Sequence, residues 1–205
     1  MPEIVFDGEE SASKNPKAWE RTQEHGGIEK VQCSKQADVA ALLYQMEDKF
    51  SADVKKKNFY FYERNCFHSS SLSLNTYSCL AADMGELDMA YELFERAMLI
   101  DMSGDPSSSS AGVHAASLGG IWQCVVLGFG GVRRVGDDLR IEPNLPAAWS
   151  KLAFEISWKG QRLAVTETKD GFTVENITSG EKKPVTFISG GVTYTVADKV
   201  GVSAK

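Results

Sequence analysis

The hydrophobic period of this chain changes once and does not change back. As far as about residue 131 apolar residues recur at intervals of three and four; from Val132 onward they alternate with polar neighbours. The first pattern lines one face of a helix and the second one face of a strand. Helices that precede strands, rather than alternating with them, define an α+β chain. We therefore expect a helical domain at residues 1–131 and a β domain at residues 132–205, with EPNLP at Glu142 to Pro146 as linker-like sequence.

In the helical part, Val39, Leu42, Leu43, Met46 and Phe50 predict a helix over 37–50, and Ser51 is placed to cap a short second one near Asp53 to Asn58. A third is expected over 72–83 and a fourth over 87–100, with Gly85 between them. The fifth, His114 to Leu127, carries Leu118, Ile121, Trp122, Val125 and Val126 with almost no charge, which predicts burial on nearly every side. Such a helix needs neighbours all round, and the first 30 residues offer little apolar surface to supply them. The chain is thus expected either to associate through that face as a homo-oligomer or to belong to a larger helical assembly, completed by an N-terminal partner chain. In the β part, Leu139 and Ile141, then Leu152, Phe154, Ile156 and Trp158, then Leu163 and Val165, then Phe172 and Val174 predict antiparallel strands, with KG, KDG, SGEKKP and SGG as the turns between them.

Bulk chemistry excludes several functions. A net charge of −6 with no dense basic patch argues against nucleic acid as partner, and Lys55-Lys56-Lys57 reads as a solvated helix face. Cys33, Cys66, Cys79 and Cys124 are widely spaced with no CxxC pair, so neither a metal site nor a disulfide framework is expected, and a reducing cytoplasm fits. The acidic start MPEIVFDGEES has no apolar targeting segment, and no run is long enough to span a membrane.

Two serine-rich stretches, HSSSLS at His68 to Ser73 and SSSSAGVH at Ser107 to His114, each run into a predicted helix. A helix start exposes unpaired N–H groups with a partial positive charge, so hydroxyls and a histidine there suit an anion such as phosphate. Taken one at a time, Ser70, Ser71 and His114 are equally helix caps, Lys35 and Gln36 exposed residues at a helix start, His68 a structural histidine, and Trp122 and Trp158 core.

Taken together, and in this order, the motifs Ser34-Lys35-Gln36-Ala37-Asp38-Val39, Asn58-Phe59-Tyr60-Phe61-Tyr62-Glu63, His68-Ser69-Ser70-Ser71-Leu72-Ser73 and Gly112-Val113-His114-Ala115-Ala116-Ser117-Leu118-Gly119-Gly120 resemble the C-terminal third of glycoside hydrolase family 65, which includes maltose, trehalose, kojibiose and nigerose phosphorylases. The resemblance covers about Val31 to Val165. It implies the last helices of an (α/α)6 barrel followed by a small antiparallel β-sandwich. The implied reaction is inverting phosphorolysis of an α-glucoside to β-glucose 1-phosphate, in which phosphate replaces the water and general base of an inverting glycosidase. Inorganic phosphate is then a co-substrate beside the disaccharide, and no cofactor is implied. By the same resemblance Ser70, Ser71, His114 and the amide near Ala115 contact phosphate, and Lys35 and Gln36 hold the glucose hydroxyls. Three positions depart from the family pattern: Ser69 and Ala111 stand where an acidic residue is common, and Arg64 where Pro is. The general acid is expected upstream of the first motif, outside this chain, so the chain by itself is expected to be inactive. The alternatives are a trehalase-like hydrolase of the same family, or a non-catalytic truncated product or subunit.

Overall fold

The computed structural model describes residues 11–15, 17–102 and 112–204. The Ser107 to Ser110 run and Ala111 lie outside the described residues. The chain forms two compact units, Met1–Cys124 and Val125–Lys205.

The first unit contains α1 (Ala18–Glu24), α2 (Asp38–Gln45), α3 (Ala52–Arg64), α4 (Ser73–Asp83), α5 (Leu87–Met98) and α6 (Ala115–Gln123). α4 is its centre, with every residue from Ser73 to Ala82 buried except Thr76, and it packs on α2, α3, α5 and α6. Phe59, Tyr77, Leu80, Leu93 and Phe94 fill the core around it, each worth roughly 1.5–3 kcal/mol of burial. α4 ends at Gly85, whose φ of +79° suits a residue without Cβ; the amides of Gly85 and Glu86 return to the carbonyls of Ala82 and Ala81, and α5 begins.

Three expectations are corrected here. The helix predicted over 37–50 stops at Gln45, because Met46 leaves helical geometry and a 3-10 turn follows at Glu47–Lys49. Leu42 and Met46 are nearly half exposed, so that part of the stripe has no packing partner to sustain the helix. The short helix near Asp53 instead runs on to Arg64: Ser51 accepts from the Val54 amide at 3.3 Å as expected, and Phe59 and Glu63, four apart, hold the later turns against the core. Lys55 is not solvated like its neighbours; it is buried and its Nζ lies 2.9 Å from Asp83 at the end of α4.

The nearly chargeless helix begins as expected and ends early, at Gln123, where the chain widens into a π-type turn over Cys124–Phe129 closed by the Gly130 amide on the Val125 carbonyl at 2.9 Å. Trp122, expected in the core, is 55% exposed, and Leu118 is 49% exposed. No helix is long and apolar enough to cross a membrane among the described residues, and all four cysteines are free.

The second unit is a sandwich of two four-stranded sheets, ordered β1-β2-β6-β7 and β3-β4-β5-β8, with strands β1 (Val132–Val135), β2 (Asp138–Ile141), β3 (Lys151–Trp158), β4 (Gln161–Thr168), β5 (Gly171–Asn176), β6 (Val185–Ser189), β7 (Val192–Val196) and β8 (Lys199–Ser203). The KG turn is a tight hairpin between β3 and β4 with positive φ at both Lys159 and Gly160. Leu139, Ile141, Leu163, Val165, Val174, Phe187 and Val196 form one core, with Trp158 packed against it. One pairing differs from the antiparallel expectation: β6 lies parallel to β2, registering Ile188 with Arg140, because the chain between β5 and β6 crosses from one sheet to the other.

Candidate functional site

The four motifs meet in the helical unit, three of them held together by backbone and amide hydrogen bonds and the fourth through the ion pair of Glu63 with His68. The Ser34 amide donates to the Asn65 carbonyl at 2.9 Å, and the Phe67 amide donates back to the Ser34 carbonyl at 3.1 Å, a parallel bridge centred on Ser34 and Cys66. That bridge fastens Lys35 and Gln36, both exposed, beside the strand-like segment that enters HSSSLS. Within HSSSLS the Ser70 hydroxyl accepts from the Leu72 amide at 3.4 Å and the Ser70 carbonyl from the Ser73 amide at 3.2 Å, so Ser70 closes the turn ahead of α4. Ser71, half-buried, is the next residue on the same turn.

The link to the Gly112 to Gly120 motif is Asn75, which sequence reasoning missed. Its Nδ2 donates to the Ser117 carbonyl at 3.2 Å, to the Ser117 hydroxyl at 3.3 Å and to the Ser71 carbonyl at 3.5 Å. One buried amide therefore holds the first turns of α4 and α6 side by side. Gly120 permits the approach: a Cβ there would lie 2.5 Å from Asn75 Nδ2. The pair Gly119-Gly120 was the available signal, since glycine inside a helix at a cost of about 1 kcal/mol marks a close neighbour.

His114 precedes α6 and is oriented by Asp101, the second residue missed. Its Nδ1 donates to one carboxylate oxygen at 2.6 Å and its own amide to the other at 3.1 Å. The ring is thereby fixed as the Nδ1–H form with Nε2 facing away from Asp101. In turn the His114 hydrogen bonds hold the Asp101 carboxyl below the usual carboxylate range. No spacing in the sequence points to this pair, because its members lie thirteen positions apart. The Ala115 amide turns to the Val113 carbonyl at 3.1 Å, while the Ser117 and Leu118 amides reach the His114 carbonyl. The Ala116 amide is left without an acceptor among the described residues.

Behind the first serine motif lies a buried polar cluster. The His68 side chain is 1% exposed; its Nδ1 is 3.1 Å from Ser73 Oγ and its Nε2 is 3.7 Å from Glu63. Burial alone would push the imidazole down, but Cys66 and Glu63 outweigh it and raise His68 above its usual value. Burial likewise disfavours the Glu63 carboxylate, yet hydrogen bonding and charge from His68 hold it below its usual range.

An array of hydroxyls and helix-start amides, with an imidazole presented from outside, is a donor set for an oxyanion. Residues 4–123 match the glycosyl hydrolase family 65 central catalytic domain and residues 132–196 that family's C-terminal domain. The chain is 44% identical over 147 residues to a kojibiose phosphorylase of Halothermothrix orenii, covering 72% of this chain and 19% of the relative. It is 39% identical over 143 residues to an alpha,alpha-trehalose phosphorylase of Thermoanaerobacter brockii, covering 70% and 18%. A 1,2-alpha-glucosylglycerol phosphorylase of Bacillus selenitireducens is 36% identical over 167 residues, covering 79% and 22%. The chain thus spans about a fifth of the length of the curated relatives it matches. A solved structure described as "Putative kojibiose phosphorylase from human microbiome" shares the fold with a TM-score of 0.83 over 100% of this chain and 29% of its own, at 24% identity. Matched through its helices and then through its strands, in the order of the two domains, the chain belongs to glycosyl hydrolase family 65.

Proposed function

We propose that this chain supplies the phosphate-binding end of the site of an inverting α-glucoside phosphorylase that releases β-glucose 1-phosphate, and that the general acid comes from outside the chain. The observation that carries the reading is Asn75 holding the two serine-bearing helix starts together, with His114 aimed by Asp101 at the edge of the same arrangement. Ser70, Ser71 and the Ala116 amide donate to phosphate oxygens, and the His114 ring, held through Nδ1 by Asp101, presents Nε2 to the anion. Asp101 does not compete for the site, since both its oxygens already accept from His114. Lys35 and Gln36 hold the hydroxyls of the glucose unit that phosphate attacks. Attack from the face opposite the leaving group inverts the anomeric centre, and phosphate itself is the nucleophile, so no carboxylate base is needed on this side. Inorganic phosphate is the co-substrate and no further cofactor is assigned. A cytoplasmic location follows from a reaction that consumes inorganic phosphate and yields a sugar phosphate.

The test is to graft this chain in place of the matching segment of the Halothermothrix orenii kojibiose phosphorylase and to measure sugar release with and without phosphate. The chimera is expected to release β-glucose 1-phosphate from an α-linked glucose disaccharide only when phosphate is present, and His114→Ala is expected to lower kcat/KM for phosphate by about a hundredfold or more. Free glucose released at the same rate without phosphate would favour the trehalase-like hydrolase instead.

A further inference from the structure

We propose that His68 is a positioning residue, held as an imidazolium between Glu63 and Ser73, and that its positive charge sets the serine turn and favours an anion on it. The inference deepens the phosphate reading above and rests on it for the identity of the anion.

Hydrogen-bond direction assigns the charge. Ser73 Oγ donates to the Ser70 carbonyl at 3.0 Å, so its contact with His68 Nδ1 at 3.1 Å must be one it accepts, and Nδ1 carries a proton. The other ring nitrogen is buried, has no hydrogen-bond partner and faces the Glu63 carboxylate at 3.7 Å. A neutral ring would aim a lone pair at that carboxylate; an imidazolium aims an N–H. The groups facing the ring are Glu63 on α3, the Cys66 thiol, which receives the His68 amide at 3.4 Å, and Tyr77 on α4, whose ring meets the imidazole edge-on at 5.1 Å. Beyond Glu63, Lys14 acts on the carboxylate. His68 also has a φ of +51°, a conformation other residues than glycine adopt only when their surroundings hold them there. The imidazolium is thus held by the Ser73 hydroxyl and the Glu63 charge, and the His68 amide by the Cys66 thiol, while the backbone makes the turn that presents Ser69, Ser70 and Ser71, and the chain Glu63, His68, Ser73, Ser70 carries its polarity to the start of α4.

The chain has three histidines, so the experiment is an NMR pH titration of the ring nitrogens in the protein labelled with 15N-histidine, together with the Ser70 and Ser71 amides in uniformly labelled protein. Both His68 nitrogens should be protonated at pH 7, the ring should titrate above the ordinary imidazole range, and the two serine amides should shift with the same midpoint. Glu63→Gln should lower that midpoint by at least one pH unit, and His68→Gln should abolish the amide titration. A single protonated nitrogen at pH 7, or serine amides unmoved through the His68 titration, would overturn the proposal; if a variant fails to fold, the wild-type titration alone decides. Repeating the titration with inorganic phosphate, and with sulfate as an anion that keeps its charge over this range, reads the coupling, because linkage is reciprocal. A bound anion should raise the His68 midpoint, one pH unit corresponding to tenfold tighter anion binding when His68 is charged. A charged, loop-coupled His68 whose midpoint neither anion moves would overturn the anion coupling and leave the loop-setting role standing, which separates that failure from a failure to bind phosphate at His114.

Discussion

Replacing Glu167 by glutamine is expected to remove most of a steep pH dependence from the stability of the β unit. Glu167 lies on β4, on the same inward face as Leu163 and Val165, with Leu152 and Phe172 beside it on the flanking strands. It is fully buried, and neither carboxyl oxygen has a hydrogen-bond partner among the described residues. Burial pushes its carboxyl up from the ordinary 4.5 to about 8. Below about pH 4.5 the folded and unfolded chains both hold the proton and the site carries no ionisation penalty. Between there and about pH 8 the unfolded chain gives up the proton while the folded one keeps it, so stability falls by about 1.4 kcal/mol per pH unit. Above pH 8 the loss is complete, roughly 4–5 kcal/mol. Other groups titrate over the same interval, but the difference between wild type and Glu167→Gln isolates this one. Denaturant unfolding at pH 5 and pH 9, followed by the fluorescence of Trp149 and Trp158, should show the wild type losing several kcal/mol more than the variant. Equal losses would mean that water or a polar group reaches the carboxyl.

Gly120→Ala and Gly119→Ala are expected to act in opposite directions, although the two residues are neighbours in one helix. Intrinsic helix propensity favours alanine at either position by up to about 1 kcal/mol. At Gly119 the new methyl would enter open space, so a gain of that order should appear. At Gly120 it would lie 2.7 Å from Asn75 Cγ and 2.8 Å from Asn75 Cβ, which α4 holds rigidly, so the helices must separate. Overpacking of this kind costs about 1–3 kcal/mol, and parting the helices also breaks the bridge from Asn75 to Ser117. Thermal unfolding of the helical unit should therefore place Gly119→Ala above the wild type and Gly120→Ala below it. A stabilised Gly120→Ala would show that α4 and α6 are not in close contact.

Strands β2 to β5 were legible because each buries one face, so a period of two survives in the sequence, and turns such as Lys159-Gly160 announce themselves; β1, with a single buried residue, and β6 to β8 were not read as strands. The helices were legible as elements but less so at their ends. Met46 fits the apolar stripe yet leaves the helix, and α3 continues through Phe59 and Glu63, because neighbouring helices settle both outcomes. Lys55 fails because composition shows what a side chain prefers, and the partner that overrides the preference, Asp83, lies elsewhere in the chain. The candidate site was legible as motifs, since serines before a helix start carry their chemistry locally. What joins and aims them was not, because Asn75 with Ser117 and Asp101 with His114 are contacts between separate helices, and no local period encodes them.

The starts of α4 and α6 lie side by side, and we take them to form an anion site at which Asp101 aims the His114 ring. Titration calorimetry of inorganic phosphate into the purified chain tests it most directly, with His114→Ala and Asp101→Asn beside it and circular dichroism to confirm that the variants keep their helices. Saturable binding by the wild type is expected, with weaker binding by Asp101→Asn because the ring loses its orientation, and none by His114→Ala. Binding of equal strength in the wild type and His114→Ala, or no binding by the folded wild type, would contradict it.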